Sequence, residues 1–131
     1  MAGELILIVE DNEKNRKLER DILQFHGYRT VEAETGEDGV ALAQVTPPAL
    51  ILMDIQLPGM SGIDALRVLR ADERTRGIPV IAVTASAMTQ DRQKIMSAGF
   101  DAYQAKPIDV NQFVAAVRAM LTRPPAGGGA A

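Results

Sequence analysis

Three short runs in this chain hold only apolar side chains, and each ends on a polar one. Leu5-Ile6-Leu7-Ile8-Val9 runs into Glu10-Asp11, Leu50-Ile51-Leu52-Met53 into Asp54, and Val80-Ile81-Ala82-Val83 into Thr84. A short continuous apolar run bounded by turn residues fits a strand buried on both faces. Pro58-Gly59 turns the chain after Asp54. A carboxylate on a buried strand end is costly unless something compensates it. What compensates Asp54 is the question the rest of the chain must answer.

Helical spacing fills the segments between these runs. Asn12 is a plausible cap for a helix carrying Leu18, Ile22, Leu23 and Phe25, with Gly27 at its end. Val40, Leu42, Ala43 and Val45 support a second helix, closed by Pro47-Pro48. Ser61 or Gly62 opens a third with Ile63, Leu66 and Leu69 on one face. A fourth is expected over residues 88–98, with Met88 and Met96 as core filler and Gly99 as its stop. The fifth, with Val110, Phe113, Val114, Val117 and Leu121, is the best formed. Residues 28–33 read as a half-exposed edge strand and residues 102–105 as a weak one ending at Lys106-Pro107. The acidic stretch 32–38 reads as a solvated loop and helix start, and His26 as a surface residue. A five-fold strand–helix alternation demands an α/β fold, a doubly wound parallel sheet of five strands covered by five helices.

The 131 residues suit one domain, expected over 1–123, with a disordered Pro/Gly/Ala tail over 124–131. A net charge of −3 argues against a general nucleic-acid binder. The chain has no cysteine, which fits a cytoplasmic protein, and no run approaches the ~18 apolar residues of a membrane span. Met1-Ala2-Gly3-Glu4 has no signal-peptide character. No second domain is expected after the last helix.

In a parallel sheet the carboxyl ends of the strands share one edge, where ligands bind. That edge would collect Glu10, Asp11, Asp54, Thr84 and Lys106. Three carboxylates together are stable only with a cation or a proton. Ligands that are all hard oxygens suit Mg²⁺ or a similar divalent ion rather than zinc. A hydroxyl, an ammonium and such a cation around a carboxylate form a clamp for a phosphoryl group.

Here the sequence resembles a family. Glu10-Asp11, Met53-Asp54, Thr84-Ala85 and Lys106-Pro107 match, in order and position, the signature of response regulator receiver domains over residues 5–122. Val9-Glu10-Asp11-Asn12 with Met53-Asp54-Ile55-Gln56-Leu57-Pro58 is most similar to the stand-alone, bacterial DivK-type receivers of cell-cycle and polarity circuits. The resemblance implies a flavodoxin-like sheet of order 2-1-3-4-5. It implies that Asp54 accepts a phosphoryl group and that Thr84 and Lys106 hold its oxygens. Asp11, Asp54 and the Gln56 backbone carbonyl would bind Mg²⁺ (or Mn²⁺), with Glu10 acting through a water. Tyr103 matches the aromatic switch position, with a half-buried packing residue as its bland reading. Gln56 and Ser86 would flank the attacking water in dephosphorylation; Ser86 departs from the bulkier residue usual there. The Lys106–Pro107 bond would be cis. Partners would be a sensor histidine kinase or a histidine phosphotransfer protein, docking around Asn12, Asn15, Arg16 and Glu19, and a downstream protein target. The implied role is a phosphoacceptor rather than an enzyme, with self-phosphorylation from small donors and autodephosphorylation only.

Other readings compete. A flavin or nucleotide binder on this fold needs a Gly-, Ser- or Thr-rich loop after the first strand, and Glu10-Asp11-Asn12-Glu13 is the opposite. An aspartyl-phosphate phosphatase needs a second acid two residues after the nucleophile, where this chain has Gln56. A pseudo-receiver that docks without phosphorylation keeps the fold, but the full set of site residues argues against it. Singly, each of these residues could be a cap, a turn former or a solvated charge; a strand-end cluster of acids has no structural reason to exist.

Overall fold

The computed structural model describes residues 3–85 and 89–122. Ten elements alternate: β1 (Leu5–Val9), α1 (Glu13–Phe25), β2 (Arg29–Ala33), α2 (Gly36–Val45), β3 (Leu50–Asp54), α3 (Gly62–Ala71), β4 (Val80–Thr84), α4 (Thr89–Ser97), β5 (Ala102–Ala105) and α5 (Val110–Thr122). The strands form one sheet in the order β2-β1-β3-β4-β5, every pair parallel. Among the described residues no helix is long and apolar enough to cross a membrane.

The apolar runs have no polar alternation because both faces of the central strands are covered. Side chains alternate between faces along a strand. Leu7, Val9, Ile51 and Met53 therefore join Ala65, Leu66, Leu69 and Ile95 in one core. Ile6, Ile8, Leu50 and Leu52 join Ile22, Leu23, Phe113 and Val117 in the other. β3 and β4 are buried along their whole length, whereas the edge strand β2 is mostly half-exposed.

Local chemistry sets the helix starts. Asn12 accepts a hydrogen bond from the Asn15 amide at 3.0 Å, Thr35 from Asp38 at 3.1 Å and Ser61 from Asp64 at 3.1 Å. Each of these N-cap side chains satisfies one of the amides a helix start leaves unpaired. Gly27 follows α1 at φ 89°, a conformation that favours glycine.

Several apolar residues are not where spacing alone puts them. The buried stripe of α1 is Glu19, Ile22 and Leu23, while Leu18 is 40% and Phe25 85% exposed. At 100° per residue Phe25 lies roughly 115° from the centre of that stripe. Met96 is 41% exposed and so is not core filler; Ile95 beside it is the α4 residue that enters the core. Leu42, Val45 and Val110 also face outward. Met88 and the 124–131 tail lie outside the described residues.

Gly62 fixes the distance between α3 and the end of β3. A Cβ there would collide with the Asp54 carbonyl oxygen and stand 2.9 Å from the Ile55 Cα. Both are backbone atoms, so a larger residue must push the helix start off the strand end. Gly62→Ala is expected to destabilise the fold by about 1–3 kcal/mol and to displace Asp54. Urea unfolding measures the first effect, and amide shifts of residues 54–56 measure the second.

Candidate functional site

The topology brings the carboxyl ends of β1, β3, β4 and β5 to one edge. Glu10 follows β1 and is 1% exposed; Asp54 closes β3 at 4% and Thr84 closes β4 at 1%. Asp11 is exposed. Lys106 follows β5, and its backbone amide donates to the Thr84 carbonyl at 2.8 Å. The Lys106–Pro107 bond is cis.

One ammonium joins the two buried acids. Lys106 Nζ lies 2.7 Å from Glu10 Oε1 and 3.0 Å from Asp54 Oδ2. Two backbone amides take the remaining carboxylate oxygens. Asn12 N–H donates to Glu10 Oε2 at 3.1 Å, and Gln56 N–H to Asp54 Oδ1 at 3.1 Å. One positive charge cannot neutralise two. The Glu10 carboxyl is pushed up to about 7, first by burial and then by its hydrogen bond to the Asp54 carboxylate, against the pull of Lys106. For Lys106 burial disfavours the ammonium, but its hydrogen bonds to Glu10 and Asp54 outweigh that and raise its pKa.

Carboxylate oxygens of Glu10, Asp11 and Asp54 come within 4.8 Å of one another, a group that could hold a metal ion. Two of the three are buried, and all donors are hard oxygens. These features fit a small divalent cation such as Mg²⁺. A cleft of about 130 Å³ lined by Ile55, Gln56, Ile63, Thr84, Asp91, Lys94 and Ile95 opens beside Gln56 and Thr84.

The response regulator receiver domain family matches residues 6–118. The chain belongs to that family. It is 47% identical over 116 residues to the polar-differentiation response regulator DivK of Brucella ovis, covering 88% of this chain and 94% of that protein. The Brucella abortus (strain S19) protein of the same name matches equally, and that of Brucella anthropi is 46% identical over the same shares. The receiver domain of a Pseudomonas aeruginosa sensor histidine kinase, solved with magnesium coordinated in its active-site cleft, is 35% identical with a TM-score of 0.87. That alignment covers 93% of this chain and 100% of the other. A CheY-like receiver domain protein from Methanospirillum hungatei is 30% identical with a TM-score of 0.81, covering 92% and 94%.

This receiver places Glu10, Asp11, Asp54, Thr84 and Lys106 at one edge, with Gln56 exposed beside them. Tyr103 stands half-buried on β5, paired with Ala82. Ser86 lies outside the described residues.

The structure alters the expected docking set. Asn12 is exposed and Asn15 half-exposed. Arg16 is folded back: Nη1 donates to the carbonyls of Glu10 at 3.0 Å and Asp11 at 3.2 Å, and Nε lies 3.3 Å from Glu32 Oε1. It clasps the loop that carries the site acids. Glu19 is corrected outright. Its carboxyl is 1% exposed with Oε2 unpartnered, so it offers nothing to a partner. The sequence reads a Glu beside Leu18 as surface; nothing local marks it as facing the sheet. Glu32 is likewise no loop residue, since it closes pairs with Arg16 and Arg20 from within β2. Spacing alone does not show the close packing of Gly62 on the Asp54 carbonyl or the Arg70–Asp101 pair at 2.8 Å. A glycine directly after a capping serine was the available signal for the first.

Burial, then the charge of Glu10, pushes the Glu19 carboxyl up to about 8; Lys106 opposes and Asp54 adds to the rise. An acid held above its unfolded value of 4.5 keeps its proton in the fold while the open chain loses its own. Below 4.5 the group is neutral in both states and costs nothing; as pH rises towards 8 the fold loses stability relative to the open chain. Glu19→Gln removes that loss. Its stability advantage over wild type is expected to grow by about 2 kcal/mol or more between pH 5 and pH 8, read by urea unfolding at both values.

Proposed function

We propose that this receiver is the phosphoryl acceptor of a two-component phosphorelay, with Asp54 as the modified residue. The observation that carries this reading is the buried Asp54 carboxylate held by Lys106 at the edge where Glu10, Asp11 and Thr84 meet. An Asp54 carboxylate oxygen attacks phosphorus, and the bond from phosphorus to the donor breaks. The electron pair leaves with the donor, a histidine nitrogen on a protein or the acyl oxygen of a small phosphodonor. Lys106 stays beside the new phosphoryl oxygens, and the Thr84 hydroxyl takes another.

Asp11, Asp54 and the Gln56 carbonyl would hold Mg²⁺ or Mn²⁺, with Glu10 acting through a water. The cation would supply charge that offsets repulsion between carboxylate and phosphoryl group. Support for this comes from the three-carboxylate group here and from the magnesium in the Pseudomonas relative. Hydrolysis of the acyl phosphate would return Asp54, at a rate that Gln56 and Ser86 would tune.

The writers would be a sensor histidine kinase or a histidine phosphotransfer protein, met by Asn12 and Asn15 on α1. The reader would be a protein target in a cell-cycle or polarity circuit; the similarity to polar-differentiation response regulators supports the polarity reading. Phosphorylation at Asp54 would draw Thr84 inward and let Tyr103 follow, a shift between two packings of one domain. We place this chemistry in the bacterial cytoplasm.

Labelled acetyl phosphate with Mg²⁺ is the test. Wild type is expected to take up label, Asp54→Asn none, and Asp11→Ala to lose saturable Mg²⁺ binding. Label on Asp54→Asn at the wild-type level would refute the assignment. A wild type that takes up no label but still binds its partner would instead be a docking module.

A further inference from the structure

We propose that Arg92 is a positioning residue for Tyr103: its guanidinium holds the ring in the half-exposed place it occupies here and so limits how often the ring turns inward. This rests on the reading of Tyr103 as the switch residue. Arg92 Cζ lies 5.0 Å from the centroid of the Tyr103 ring. That is within the ~6 Å over which a cation is attracted to a ring face. Arg92 and Ile95 stand three apart on α4 and therefore on one side of it. Ile95 enters the core, and Arg92 reaches over the neighbouring strand.

The geometry makes the contact a tie between two elements. Among the described side chains of α4, Ile95 alone is buried. The surface of the helix carries Asp91, Arg92, Gln93 and Lys94 in sequence, beside the exposed Met96. Tyr103 packs at the margin of the core that Ile95 shares with Met53 and Ala82. A ring turning inward from β5 must leave the Arg92 guanidinium behind. Losing that attraction counts against the inward rotamer. Arg92 thus biases the resting population without touching Asp54, Thr84 or Lys106.

The size follows from ordinary cation–ring attraction at an exposed site, which corresponds to about two- to five-fold in a rotamer ratio. The chain has two tyrosines and no tryptophan, so ring labelling gives two signals, and Tyr28→Phe assigns the one from Tyr103. Three-bond couplings about χ1 then measure the rotamer ratio with and without beryllium fluoride. Arg92→Gln is expected to raise the inward fraction about two- to five-fold in the free protein. Arg92→Lys, which keeps a cation, is expected to fall between Arg92→Gln and wild type. A wild-type ratio in Arg92→Gln, with its amide spectrum otherwise unchanged, overturns the proposal. So does a ratio in Arg92→Lys equal to that of Arg92→Gln, because the charge would then not hold the ring. Beryllium fluoride tests the reading beneath: if it leaves the wild-type ratio unmoved, Tyr103 is not the switch, whatever the variants do to the ring.

Discussion

The Lys106 ammonium between two buried carboxylates is the interaction on which the site depends. Glu10 and Asp54 come from different strands and would repel each other in a dry edge. Lys106 meets both, at 2.7 and 3.0 Å. The balance is still one positive charge against two negative, and burial beside Asp54 raises the Glu10 pKa to about 7, so a proton can make up part of it. Such an edge favours an added cation, which can replace the proton. It also accepts an anionic group only where positive charge already stands. Both properties follow from charge count and burial before any reaction is considered.

The sheet is what allows this concentration of charge. Parallel strands end together, so acids distant in sequence meet without a dedicated loop. The central strands were legible for the same reason: covered on both faces, they carry uninterrupted apolar runs with one reading. The site acids were legible because each sits directly after such a run. The flanking helices were less so. In α1 two apolar sets overlap, Leu18-Ile22-Phe25 and Ile22-Leu23, and only packing against β1 decides that Glu19 completes the second. Arg16 has the composition of a surface residue, and its bonds to the Glu10 and Asp11 carbonyls depend on a loop whose path spacing does not encode.

The two sides of the sheet hold the site differently. On the α1 and α5 side, Ile22, Leu23, Phe113 and Val117 close a continuous core, and Arg16 ties α1 to the acid loop. On the other side α4 is anchored among its described side chains by Ile95. A disturbance at Thr84 therefore meets its smaller resistance towards α4 and β5. Elements held by few buried contacts are those that move at least cost, and under the proposed function that is the side a protein partner would read.

Glu19 fits this picture as a cost carried beside a functional edge. A buried acid in an otherwise apolar stripe breaks the local rule, and such breaks gather near sites. Its charge would add to the field of Glu10 and Asp54, which Lys106 only partly offsets. Held up to about 8, it is mostly protonated at neutral pH and leaves that field alone. The neutral form avoids the larger penalty of a third buried charge while still burying a polar oxygen without a partner. Under the proposed function, each added negative charge near Asp54 would weaken its hold on a phosphoryl group. The burial that raises the Glu19 pKa therefore also limits the negative charge beside that edge.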